Sequence, residues 1–193
     1  MSRPKEPERV KLIASLFSPQ RDLLEQVLGD LRGLFGPEDW KSPDLYFDRT
    51  RYYEREMGWP LHRLFVSFER LVSPDSLVET KLWTNTLESR YLEGTRRRVN
   101  IDPGHLSLER LVLATGKNYT HRIYLSKGIY ADLTLVFKRG SFRPLEWTYR
   151  DYAEPRIISY FNAVRERYKR QLRGIDENGA PLLNTPPSGG SLV

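Results

Sequence analysis

Apolar and polar positions alternate with a clear rhythm along this chain. A charged, proline-containing stretch, residues 1–9, gives way to an apolar run, Val10 to Phe17, short enough for a central β-strand. Ser18 followed by Pro19 marks a helix start. Leu23, Leu24, Val27, Leu28, Leu31 and Leu34 then recur at helical spacing until Gly36 ends the pattern. Two strands are predicted over Leu45 to Tyr53 and Leu61 to Leu71, joined by a turn around Gly58 and Pro60. A second helix is predicted from Ser73 to Leu92, with Ser73 as its cap, Pro74 in its first turn and Asp75 against the positive end of its dipole. Arg96 to Asp102 reads as a strand ended by a turn at Pro103 and Gly104, and Ser107 to Thr115 fits either a short helix or a strand. From Thr120 the segments HRIYL, IYADLTLVFK and FRPLEW, with turns at Ser126 to Gly128 and Arg139 to Ser141, predict an antiparallel meander. A last helix from Pro155 to Leu172 carries Ile157, Ile158, Phe161, Val164, Tyr168 and Leu172 as its buried stripe, and residues 174–193 have the Gly, Pro and Ser content of a disordered tail.

The order strand, helix, strand, strand, helix, strand predicts an α+β fold. The specific expectation is a ferredoxin-like βαββαβ split sandwich, helices on one face, extended by a C-terminal antiparallel β-meander and a final helix. Residues 10–173 form a single domain on this reading, between the flexible lead-in 1–9 and the tail.

The second helix breaks its own pattern. Set at 100° per residue, Glu79, Thr86, Ser89 and Arg90 share a solvent face, and Lys81, Thr84, Asn85 and Glu88 fall near the middle of the face that should be buried. Lys81 and Glu88 stand roughly 10 Å apart along the axis, too far for an ordinary ion pair without a group between them. A desolvated ammonium or carboxylate needs a partner. Three readings follow: a second wet face, a ligand site, or a buried structural network.

Composition narrows the chemistry. The chain has 193 residues, 39% hydrophobic and 29% charged, which suits one globular domain with a real core. It has no cysteine, which removes disulfides, thiol catalysis and thiolate metal sites, and with only His62, His105 and His121 no histidine metal cluster is expected. No apolar run reaches the length of a membrane span, and Val10 to Phe17 contains Lys11 and has no cleavage pattern behind it, so a cytosolic protein without a membrane partner is expected. The net charge of +6 is compatible with an anionic partner.

Several blocks in one order carry a resemblance: TRYYEREMG, SFERLVSPDSLVETKLWTNTLE, RRRVNIDPGHLS, LVLATGKNYTHRIYLSKGIYADLTL and WTYRDY. Together they resemble the prokaryotic family catalogued as domain of unknown function 4416, over nearly the whole chain except its ends. The resemblance brings no activity with it. This chain has His105 where the family's DPGY block has tyrosine, Asp132 where glutamate is usual and Arg150 where proline is usual. Some members carry a GTP-binding label, but a phosphate-cradling P-loop needs GxxxxGK followed by Ser or Thr, and Gly116 and Lys117 in ATGKN lack both the earlier glycine and the hydroxyl.

Asn100 and Asp102 alternate along a strand and share a face. His121 and Arg122 open the next strand and are expected to point to opposite faces. Tyr52, Tyr53, Glu54 and Glu56 offer hydroxyls and carboxylates before a glycine turn, and Trp147, Tyr149 and Tyr152 are expected to pack the last helix on the sheet. Three classes of function are consistent with these residues. The first is an enzyme or small-ligand protein with a polar cleft beside the 73–92 helix. There Lys81 and Arg122 hold an anionic group with Thr84, Asn85 and Asn100 nearby, and Glu88, Asp102 or His121 moves a proton. The second is an RNA-binding module that uses Arg96, Arg97, Arg98 and the basic last helix, although it lacks the aromatic, glycine-rich signature of the common RNA-recognition module. The third is a non-catalytic interaction protein. The residues name no cofactor.

Overall fold

All nine residues of β1, Val10–Ser18, are buried, as a strand must be when it is paired on both edges and covered on both faces. Leu12, Ala14 and Leu16 point to one side, where they meet α1 (Arg21–Phe35). Ile13 points to the other and joins the core beneath α4 (Pro155–Leu172). β1 pairs antiparallel with β4 (Leu61–Val72) and with β5 (Asn100–Leu106). β2 (Glu38–Lys41) and β3 (Leu45–Phe47) pair with β4. On the other side β6 (Arg110–Thr115) pairs with β5 and with β8 (Ile129–Lys138), and β8 also carries β7 (Arg122–Ser126) and β9 (Ser141–Pro144).

This computed structural model describes residues 1–47 and 53–175. Among them the strands form one nine-stranded antiparallel sheet in the order β2-β4-β1-β5-β6-β8-β7, with β3 beside β4 and β9 beside β8. The fold is α+β, and its sheet is larger than a four-stranded split sandwich. Residues 48–52 of the strand expected over Leu45 to Tyr53, Tyr52 among them, and nearly all of the expected tail lie outside the described residues, and Tyr53 is in a turn rather than a strand. No helix among them is long and apolar enough to cross a membrane.

The helices divide between the two faces, α1 and α3 (Leu77–Arg90) on one and the final helix on the other. α1 and Leu87 of α3 cover the side of Leu12, and α4 covers the other. Leu23, Leu24, Val27, Leu28 and Leu31 of α1 are buried as their spacing predicts, and each such side chain contributes about 1.5–3 kcal/mol. Leu34 is exposed and Phe35 is buried in its stead, because Phe35 packs edge-on against Phe68 at 5.6 Å between centroids. Ser18 does not cap α1. It closes β1, where its hydroxyl donates to Arg98 O at 2.7 Å and accepts from the Gln20 amide at 3.0 Å.

Three other expectations change. Ser73 makes no side-chain cap, and the second helix begins with a 3₁₀ turn over Pro74–Ser76 before α3. Pro103 and Gly104 form no turn, since β5 runs through both. Of Ser107 to Thr115, Arg110–Thr115 is strand and no part is helix, because β6 has a partner on each edge. β2 and the short α2 (Glu54–Met57) have no counterpart in the sequence reading.

One charge inside β1 is fully enclosed. Lys11 Nζ donates to Asp39 Oδ2 at 2.6 Å, Phe68 O at 3.0 Å and Gln171 Oε1 at 2.5 Å, which ties β1 to β2, β4 and α4. Burial lowers the pKa of Lys11, and Asp39 opposes the shift.

Candidate functional site

β5 and β6 pair only from Gly104 to Leu106 against Leu111 to Leu113. Below that point they part. Residues 100–103 of β5 stay with β1, and Ala114 and Thr115 of β6 stay with β8. Gly104 sits at the fork, where a Cβ would come 2.6 Å from Val112 O and 2.8 Å from Leu113 Cδ2, so the close approach needs glycine. Pro103 fits the same geometry. Alternation along the strand puts its missing N–H on the edge away from β1, where no ladder bond is lost.

A parted sheet leaves backbone groups without a strand partner, and α3 supplies one. Lys81 Nζ donates to Ile101 O at 2.8 Å, and Glu88 Oε1 accepts the Ile101 amide at 2.7 Å. Two side chains two helical turns apart thus serve the donor and acceptor of one residue, as a neighbouring strand would. Their charged ends approach to 4.0 Å, and Lys81 Nζ also lies 3.6 Å from Asp102 Oδ1. Both side chains are only about a tenth exposed, 9% and 10%. Thr84, between them, is fully buried and donates to Lys81 O at 3.0 Å. Asn85 is exposed.

The network continues along β5. Asn100 Nδ2 donates to Asp102 Oδ2 at 2.8 Å, and Arg97 Nη1 donates to Asn100 Oδ1 at 2.8 Å while standing 3.7 Å from Glu88 Oε2. The rest of the Arg97 guanidinium grips Glu56 of α2, at 2.6 and 2.8 Å. That hydrogen bonding raises the pKa of Arg97 and lowers that of Glu56. Burial pushes Glu88 above the usual carboxylate range, against the pull of Lys81 and the Ile101 amide.

The fork opens into a cavity of about 830 Å³. Lys81, Asn85, Glu88, Arg97, Asn100 and Asp102 line it on one side, Thr115, Gly116 and Lys117 on another, and residues 149–152 on a third. Arg63 forms a fixed positive wall. Its Nε donates to Ser15 Oγ at 2.8 Å, its Nη1 pairs with Asp151, and its guanidinium lies over the rings of Phe65 and Tyr152 at 4.5 and 5.0 Å. Burial acts to lower its pKa, but Asp151 and its other neighbours outweigh that and raise it. Tyr53 also lines the cavity, its hydroxyl pushed up to about 12 by burial.

His121 and Arg122 do not join this group. Both serve Asp132, whose Oδ2 accepts from His121 Nε2 at 3.2 Å and from Arg122 Nε at 2.8 Å. The expected opposite orientation fails because His121 precedes β7 and strand alternation does not bind it. Arg122 also donates to Lys117 O at 2.9 Å and Tyr149 Oη at 2.6 Å. His121 stacks on Trp147, with centroids 5.0 Å apart. Asp132 and Tyr149 line the cavity, so His121 and Arg122 stand behind its wall. Of the three aromatics expected to pack the last helix, only Tyr152 is buried, stacked on Phe161 of α4, while Trp147 and Tyr149 are exposed.

A family model described as Domain of unknown function (DUF4416) matches residues 8–168. The chain belongs to the DUF4416 family. No curated protein and no solved structure matches it. The DUF4416 span includes every residue that lines the cavity and ends inside α4, so the whole site is part of the family domain. Arg63 escapes the sequence reading of this DUF4416 member, and Tyr149 enters it only as packing for the last helix. A charge within the apolar run LHRLFVSF was the available signal for the first.

Proposed function

We propose that this chain binds a small polar molecule bearing an anionic group, in the cavity beside α3, and that Asp102 exchanges a proton with it. The position of Asp102 carries this reading. Asn100 and Lys81 hold its carboxylate, yet a third of the side chain remains exposed. A fixed carboxylate still open to a ligand suits general acid–base work. The cavity's size falls within the range of small-molecule sites.

The geometry changes how the anionic end is held. Lys81 is engaged by Ile101 and Arg122 by Asp132. The exposed cations of the lining are Lys117 and Arg150. The ligand is therefore read as placing its anionic group toward them and a hydroxyl or ammonium toward Asp102. The partial order β2-β4-β1-β5, with α1 and α3 between the strands, supports a ferredoxin-like reading of the first half, and the cavity lies where its last strand leaves the added meander. Base stacking on an open sheet fits less well, since helices cover both faces of the central strands.

A thermal-shift screen with inorganic phosphate, sugar phosphates, nucleotides and hydroxy acids tests the proposal. At a hundredfold excess over Kd a bound compound raises Tm by about 5 °C. Asp102→Asn removes most of that shift, and the Lys117→Ser, Arg150→Ser pair reduces it. A shift that persists in both variants, or none with any compound, contradicts the reading. Copurified nucleic acid that leaves as salt rises favours the RNA reading instead.

A further inference from the structure

A second cavity, of about 540 Å³, shares no lining residue with the first. It lies where the β5–β6 turn meets the start of α3 and the end of α4, and Val10, Leu77, Val112, Ala131 and Leu172 make its wall largely apolar. Its charged lining residues, Glu8, Glu109 and Arg110, are exposed. Two polar rings interrupt the apolar wall, Tyr168, whose hydroxyl donates to Arg9 O at 2.7 Å, and His105. His105 is 6% exposed and lines the cavity, and its buried Nε2 has no hydrogen-bond partner among the described residues. Leaving such a group unsatisfied costs about 1–3 kcal/mol.

We propose that this second cavity is a binding site for a small, uncharged, mainly apolar molecule that carries one hydroxyl group, received by His105. The apolar wall takes the body of the ligand out of water. It also excludes a charged head, which would be desolvated there without a counter-ion. A hydroxyl matches the orphaned nitrogen whichever tautomer the ring adopts, because it can donate to a bare nitrogen and accept from a protonated one. The ring is neutral near pH 7, since burial lowers its pKa to about 4.

The test uses 2-naphthol and naphthalene, titrated separately into the full chain at pH 7. NMR follows the backbone amides and the imidazole nitrogens. Saturable shifts are expected at Leu77, Val112 and Ala131, with 2-naphthol binding about tenfold more tightly than naphthalene. Nε2 of His105 moves with 2-naphthol and stays in place with naphthalene. In His105→Phe the two compounds bind alike. If that variant fails to fold, the Nε2 response in the native chain decides alone. The proposal is overturned if neither compound perturbs these residues, if the perturbed signals surround Lys81 instead, or if naphthalene binds the native chain as tightly as 2-naphthol.

Discussion

Lys81 and Glu88 show why two charges can sit on the inner face of a helix. Each satisfies one of the two backbone groups of Ile101 that the parted sheet leaves open, so removing either leaves that buried group unsatisfied and takes a charge from beside its neighbour. Lys81→Met should lower the unfolding free energy by about 3 kcal/mol in urea denaturation. Glu88→Gln should cost about 1 kcal/mol, since an amide oxygen still accepts the Ile101 N–H. A Lys81→Met variant as stable as the native chain would mean the ammonium has no such role. The oddity of these positions is legible in the sequence, because a helix of fixed phase says which side chains face inward. Their partner is not, since Ile101 becomes an open edge only through the register of β5 against two other strands. His121 and Arg122 mislead for the same reason: their target, Asp132, comes from the neighbouring strand of a hairpin.

Among the elements, those that generate their own boundaries are the ones the sequence displays. α4 runs from Pro155 to Leu172 as its stripe predicts, and β8 fills the span between two turns with positive φ at Lys127, Gly128, Arg139 and Gly140. β2 has no alternation of its own to announce it and exists because β4 offers an edge. β5 hides its length behind a Pro-Gly pair that usually marks a turn. Gly104→Ala should therefore destabilise the fold by about 2 kcal/mol, since the new methyl meets backbone oxygen as well as a side chain. Chemical denaturation checks this, and a neutral result would show that the fork tolerates a wider spacing. Phe161→Ala should cost about 3–5 kcal/mol by emptying the contact of α4 with Phe65 and Tyr152.

At the scale of the whole molecule, acid acts on two sites in opposite directions. His105 has its folded pKa depressed from 6.5 to about 4, so the unfolded chain binds more protons between those values, and stability falls as pH drops through that window. Glu88 has its folded pKa raised, so its contribution is present below the unfolded value and is lost as pH rises through the folded one. Comparing variants separates the two. His105→Phe should lose up to about 3 kcal/mol less than the native chain between pH 7 and pH 4 in paired urea titrations. Asp75, Glu8, Glu109 and Arg110 are the charged groups near that ring, and equal losses in the two chains would mean that they, and not His105, set the response.

The fork between β5 and β6, closed on one side by α3, underlies both the fold and the proposed site. Hydrogen exchange at the Ile101 amide, in the native chain and in Glu88→Ala, tests it most directly. The native amide should be protected, and Glu88→Ala should lower that protection about tenfold or more while Leu106, paired within the sheet, keeps its own. Rapid exchange at Ile101 in the native chain, or protection unchanged in the variant, would contradict the account.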